Sequence, residues 1–165
     1  MSRAFVNEDR GLEELPVPAR AVLPTGVPNW VTPRGFRLLR EELENLNNDF
    51  RGEEDKARQA LLRRMQAELE FRLASAQIID LSSRPPDEIR FGATVRLRPQ
   101  DTGADWEVKL VGADEADPSL DLLSIHSPLA KALLGKKPGQ RVVQRTHEGK
   151  EIATEVLDVR YDRSE

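Results

Sequence analysis

The 165-residue chain contains no cysteine. That removes disulfides, thiolate nucleophiles and cysteine-ligated zinc. Histidine is nearly absent: His126 and His147 are the only two. "HSP" and "THEG" do not form H-E-x-x-H, and a metal site needs several convergent ligands, so both read as surface or capping histidines. Positive charge is not in excess. Lys and Arg number 25 against 29 Asp and Glu, for a net charge of -4 and a pI near 5.4. Binding to duplex phosphates needs a basic patch, so direct sequence-specific DNA binding is not expected, while a protein partner inside a nucleic-acid machine remains compatible. Long apolar runs are missing too, so no membrane span is expected. The opening "MSRAFVNEDRGLEE" lacks the apolar segment of a signal peptide, which makes a cytoplasmic chain the expectation. Catalytic signatures are equally sparse. There is no G-x-S-x-G, and "LLGKKPGQ" lacks the spacing of a phosphate loop. No catalytic residue and no cofactor are assigned, and the chain is not expected to be an enzyme.

What is present divides into regions. Residues 1–31 form a leader with prolines at 16, 18, 24 and 28, a spacing that favours extended chain. It either stays disordered or lies along the rest of the protein on Val17, Val22, Leu23 and Trp30. Residues 32–80 read as two helices. Thr32 is the N-cap and Pro33 the first helical residue. Phe36, Leu39, Leu43, Leu46 and Phe50 then recur at the alternating spacing of a coiled-coil seam. Gly35 weakens the first turn, and Gly52 allows the reversal. The second helix is expected from about Glu53 or Glu54 to Ile79. Its stripe is Leu62, Met65, Leu69, Leu73, Ala76 and Ile79, with Leu61, Phe71 and Ile78 widening the apolar face toward another element. A short connection makes the two helices antiparallel neighbours, and the first arm reaches about 27 Å.

Residues 81–89, containing "SSRPPDE", read as a linker because Pro85 and Pro86 block a helix. From 90 to 165 the period changes. Candidate strands are 93–99, 105–112, 121–125, 140–146 and 151–161, with turns at Asp101–Gly103, Pro118–Ser119 and His147–Gly149. The fold class is α+β: a short antiparallel coiled-coil hairpin, then a mostly antiparallel β domain with one short helix. That helix lies in "SIHSPLAKALLGKKPGQRV". Ser127 caps it and Pro128 opens it; Leu129, Ala130, Ala132, Leu133 and Leu134 supply its buried side; Gly135 closes it in the left-handed conformation. Lys131, Lys136 and Lys137 lie at its C-terminal end, where positive charge is favourable. Their plain reading is a solvated edge, and the alternative is a docking face. At the hairpin tip, Asp49, Glu53, Glu54 and Asp55 could converge as a weak metal contact. Arg51, Lys56 and Arg58 are interleaved with them, and a solvated tip is the plain reading; no metal ligand is assigned.

From Val31 to Tyr161 the chain resembles the bacterial Gre family, GreA and GreB, of transcript-cleavage and elongation factors. The resemblance is carried by "WVTPRGFRLLREELENL", nearer the GreB side, and by "RPPDEIRFGATVRL", "VKLVGADEAD", "LSIHSPLAKALLGKKPGQ" and "ATEVLDVRY". It implies an FKBP-like C-terminal domain that docks at the rim of the secondary channel of core RNA polymerase. It also implies a coiled coil that enters the channel, with acidic tip residues helping to hold the catalytic magnesium. Contact with the rim is expected through Asp114, Glu115, Ser127, Lys136 and Lys137.

The sequence departs from the family at the tip. No "GD-SEN-E/DY"-type motif lies between Leu46 and Arg58, and about twenty residues are missing across the arms and tip. Losing about ten residues per arm shortens the reach by roughly 15 Å. Asp49, Glu53, Glu54 and Asp55 are therefore not equated with the family's tip acids. The shortened coil is reminiscent of Rnk-type proteins. The expectation is a polymerase-binding regulator without transcript-cleavage stimulation. The alternatives are an active cleavage factor and, from the fold alone, a prolyl isomerase or chaperone, which the scarcity of aromatic residues disfavours.

Overall fold

A computed structural model describes residues 20–83, 85, 87–145 and 148–162. The elements in chain order are β1 (Asn29–Val31), α1 (Pro33–Gly52), α2 (Lys56–Ser75), β2 (Ala76–Ile78), β3 (Ala93–Pro99), β4 (Trp106–Val111), a 3-10 turn (Pro118–Leu120), β5 (Leu122–Ser124), α3 (Pro128–Leu133), β6 (Arg141–Arg145) and β7 (Glu151–Tyr161). His147 and the leader up to residue 19, including the proposed anchor Val17, lie outside the described residues.

The N-terminal region is a helical hairpin. Helix α1 starts at the expected cap: the Thr32 hydroxyl accepts the Gly35 N–H at 2.9 Å, and Pro33 needs no N–H at its position. Leu39 and Leu46 are buried against Leu62 and Leu69, with Phe36, Leu43, Phe50, Met65, Leu73 and Ala76 packed around them. The seam read from the spacing is the seam that forms. The flanking apolar residues behave otherwise. Phe71 is 68% exposed and Ile78 51% exposed. At ~100° per residue, Phe71 falls on the far side of α2 from Leu69 and cannot reach the seam.

Helix α2 ends at Ser75, four residues before the expected Ile79. No glycine or proline stops it. Instead the buried Asn29 amide donates to the Arg72 carbonyl and to Ser75 Oγ, both at 3.1 Å. Those groups belong to the last turn, where carbonyls lack helical partners. The chain then extends as β2 and pairs in parallel with β1, Asn29 opposite Ala76 and Val31 opposite Ile78. Ile79 donates its N–H to the Val31 carbonyl at 3.1 Å and packs on the β-domain core instead of the hairpin stripe. The end of the proline-rich leader is thus a strand. Its proposed anchors divide: Val22 is 85% exposed, whereas Trp30 meets Phe91 edge-on with ring centroids 5.9 Å apart.

The second region is a five-stranded, curled sheet in the order β5-β4-β3-β7-β6. All neighbours are antiparallel except β4 and β5, which the intervening 3-10 turn makes parallel. Alternation sends Val95, Leu97, Val108, Leu110, Val156 and Val159 inward, and α3 covers them with Ala130 and Leu133. A register shift after Arg96 lets Val156 and Val159 share the inner face. Ser127 caps α3 through the Ala130 N–H at 3.2 Å, and Gly135 takes a positive φ of 76° as its spacing requires. Leu134 is the exception to the expected buried side. It is the C-cap, no longer helical, and is 36% exposed.

Candidate functional site

The expected site residues fall in three places. The first is the hairpin tip. Gly52 is still helical, and the reversal is made by Glu53, Glu54 and Asp55, with Glu53 and Asp55 in extended conformation. Glu53 Oε1 accepts the N–H groups of Glu54 and Asp55, each at 3.0 Å, while its Oε2 pairs with Arg58 at 2.9 Å. Asp55 Oδ1 accepts the Arg58 N–H at 2.8 Å and so caps α2. Two of the four tip carboxylates are therefore occupied in folding the turn. Asp49 and Glu54 point outward beside Arg51 and Lys56, all exposed. Among the described residues no group of three acidic, histidine or cysteine side chains could hold a metal ion.

The second place is the joint between hairpin and β domain. Asp114 and Glu115, expected as surface contacts, lie inside it, with side chains 4% and 3% exposed. Glu115 accepts the Thr32 hydroxyl and pairs with Arg34 at 2.9 Å. Asp114 faces Arg72 of α2 at 3.4 Å and Arg20 of the leader at 3.5 Å. Arg20 also pairs with Glu42, and Arg72 donates to the Ala21 carbonyl. Buried carboxylates require such partners, because an unpaired charge in this position is strongly unfavourable. The sequence reading missed Arg20 and Arg72. Arg72 did leave a signal: a charge three residues after Leu69 and one before Leu73, on a stripe that is otherwise apolar.

The third place is the end of α3. Ser127 is half-buried and committed to its cap. Lys136 is half-buried, and its carbonyl accepts the Ile89 N–H at 2.8 Å while Gly135 donates back to the Ile89 carbonyl at 2.8 Å. Lys137 is exposed and pairs with Asp87 at 3.2 Å. Beside these lysines lies a cleft of about 290 Å³ lined by Trp30, Ile89, Phe91 and Leu134, with Glu88 and Arg90 at its rim. The hairpin's first strand and the end of α3 thus share one apolar surface edged by charge. His126 is half-buried near this helix. Burial, with the Lys131 charge acting in the same direction, pushes its imidazole below the ordinary histidine range.

A larger cleft of about 540 Å³ on the β domain is lined by charged side chains, among them Glu107, Lys109, Asp121 and Arg160, together with Leu120 and Leu122. Tyr161 is its one aromatic residue, and the Tyr161 hydroxyl is held by the linker, donating to the Glu88 carbonyl at 2.6 Å and accepting the Arg90 N–H at 2.9 Å.

The described residues thus make a two-part molecule, a helical hairpin joined by buried ion pairs to a curled β domain. The family profile "Transcription elongation factor, GreA/GreB, C-term" matches residues 84–161. Transcription elongation factor GreA of Halorhodospira halophila is 34% identical over 154 residues, covering 80% of this chain and 97% of that protein. GreA of Nitratidesulfovibrio vulgaris strain DP4 is 30% identical over 151 residues, covering 79% of this chain and 92% of the relative. A solved GreA/GreB structure from Nitrosomonas europaea is 22% identical, covers 82% of this chain and 99% of its own, and has a TM-score of 0.43. The chain belongs to the GreA/GreB family of transcription elongation factors. A span of 151 aligned positions takes up only 79% of this 165-residue chain, so about twenty positions of that alignment have no counterpart here. That matches in size the shortening read from the missing tip motif.

Proposed function

We propose that this protein is a cytoplasmic regulator that binds core RNA polymerase at the rim of the secondary channel and does not stimulate transcript cleavage. The β domain, FKBP-like in this reading, is the docking part, and the hairpin occupies the channel mouth. Family membership supports the docking partner. The observation that carries the absence of cleavage is the tip. Glu53 and Asp55 hold the turn through Arg58 and three backbone N–H groups. They are not presented together to a metal, and each arm is 20 residues, about 30 Å long. A carboxylate displaced from the reacting phosphate by several ångströms loses the positioning that makes it useful. The protein acts on the polymerase and is not itself a catalyst.

The docking surface in this proposal centres on the end of α3. Lys137 and Lys136 flank the Trp30–Phe91–Leu134 cleft, with Ser127 keeping the helix in place. Asp114 and Glu115 contribute indirectly, by fixing the hairpin relative to that surface. The test is displacement of a labelled cleavage-competent GreA from core polymerase, with RNA length followed in arrested complexes in the same preparation. Displacement without RNA shortening is expected, and Lys137→Glu weakens it several-fold. Failure to displace at large excess refutes the docking claim; shortening that disappears in a Glu53→Ala, Asp55→Ala double variant refutes the claim about the tip.

A further inference from the structure

The two edges of the five-stranded sheet end differently. At the β5 edge the outward backbone groups are already bonded. Leu122 exchanges both its bonds with Asp117 at 3.0 Å, and the Ser124 carbonyl accepts the Ser127 N–H at 2.9 Å. At the β6 edge they are not. The Gln140 carbonyl accepts the Val156 N–H at 2.8 Å, and from there Val142 lies opposite Thr154 and Gln144 opposite Ile152. Antiparallel pairs alternate between those that exchange bonds and those that turn away from each other. Arg141, Val143 and Arg145 are therefore turned away from β7. The far side of β7 agrees: Ala153, opposite Val143, directs its carbonyl to the Gln100 N–H at 2.9 Å. Three N–H groups and three carbonyls thus point outward from β6, and no described backbone group bonds to them.

The side chains at these three positions share the outer face. Val143 is 60% exposed, with Arg141 and Arg145 exposed on either side of it. Arg141 makes no ion pair with a described residue, and Arg145 uses one guanidinium nitrogen on Glu151 at 2.9 Å. On β7 the residues directly opposite are Glu155, Ala153 and Glu151. The paired side of β6 therefore meets an acid, a small apolar residue and an acid in turn. A second copy of β6 cannot repeat that order. Laid antiparallel about Val143, it sets Arg141 against Arg145 twice; laid parallel, each arginine meets its own counterpart. Like charges directly opposite each other are destabilising.

We propose that the β6 edge accepts an extended acidic segment of another protein as a sixth strand, with acids opposite Arg141 and Arg145 and an apolar residue opposite Val143. The open backbone groups supply the hydrogen bonds, and the side chains supply the choice of sequence. The same arginines turn away basic segments and a second copy. The site stands whether or not the polymerase reading holds.

The probe is an end-blocked peptide, Thr-Glu-Thr-Val-Thr-Glu-Thr, titrated into the full chain while amide hydrogen exchange is followed by NMR. In the free chain the N–H groups of Val142 and Gln144 exchange slowly and those of Arg141, Val143 and Arg145 fast. The peptide slows the latter three by about tenfold or more at saturation. Methylating its valine nitrogen, which faces β6, abolishes that protection; methylating the two inner threonine nitrogens, which face away, preserves it. Val143→Pro removes the central outward N–H and leaves the bonds to β7 in place. It weakens binding by about tenfold or more. The double variant Arg141→Glu, Arg145→Glu loses the glutamate peptide and gains its lysine counterpart, with circular dichroism confirming that the fold persists. No protection at peptide concentrations up to about 1 mM overturns the proposal. So do equal binding of the lysine and glutamate peptides to the unaltered chain, and equal loss from both methylated peptides. If the three N–H groups are already slow in the free chain, or become so only as the protein itself is concentrated, the edge is covered by this chain or by a second copy and the acidic partner is refuted.

Discussion

Gly112 and Gly35 show how single residues hold the two halves of the molecule together. A Cβ on Gly112 would lie 2.5 Å from the Trp30 carbonyl oxygen, and one on Gly35 would lie 2.6 Å from Glu115 Oε2. Gly35, a weak helix former in isolation, is there because the Glu115 carboxylate crosses the first turn. At Gly112 the obstacle is backbone of β1, which cannot move aside like a side chain. Gly112→Ala is expected to destabilise the fold by about 1–3 kcal/mol, read from the urea midpoint. Thr32→Val removes a helix cap and one partner of Glu115 together, and is expected to cost about 1–2 kcal/mol or more, with Thr32→Ser recovering most of it. His126 gives a pH signature. Its folded-state pKa is depressed, so the unfolded chain takes up the proton first. Stability from this group is intact above the ordinary imidazole range and falls as pH drops through that range toward the lower folded value. A His126→Gln variant should show a shallower loss of stability with acidification over that interval; an unchanged slope would exclude the assignment.

Among the elements, the hairpin and the sheet differ in how legible they are. The alternating apolar spacing of α1 and the pleat of β3, β4 and β7 could be read directly, because each periodicity is set by local backbone geometry. The end of α2 could not. Its stop comes from Asn29, more than forty residues away in sequence, and from pairing with β1. Asn29→Ala should cost about 1–2 kcal/mol and speed hydrogen exchange in the last turn of α2 and across β1 and β2, while β3 and β7 keep their protection. At the tip, Asp55→Ala should cost about 1 kcal/mol through loss of the α2 cap. The four acids there looked alike in the sequence, and only the turn geometry separates the two that bind the backbone from the two that face water.

The molecule as a whole depends on charges that a sequence reading would send to the surface. Asp114 and Glu115 follow β4 in a polar segment with the composition of an exposed loop. The hairpin covers them, and Arg72, Arg20 and Arg34 neutralise them. Asp114→Ala leaves two arginines facing a joint without their anion. A loss of about 3–5 kcal/mol is expected in equilibrium unfolding, larger than for Arg20→Ala, whose side chain is 20% exposed. Small-angle scattering should show a wider spread of hairpin orientations in the Asp114 variant. An unchanged profile with unchanged stability would mean that the β1–β2 pairing and the Trp30–Phe91 contact hold the joint alone.

The sequence by itself determined the helical seam, the strand alternation, the caps at Thr32 and Ser127 and the left-handed turn at Gly135, because each depends on neighbours within a few residues. It also carried the family motifs and the shortened arms, which are matters of order and length. Only the tertiary structure decided which acids are internal, where α2 stops, and that Phe71 is left facing out. Those outcomes depend on groups far apart in the chain meeting at one place, and no local periodicity encodes that meeting.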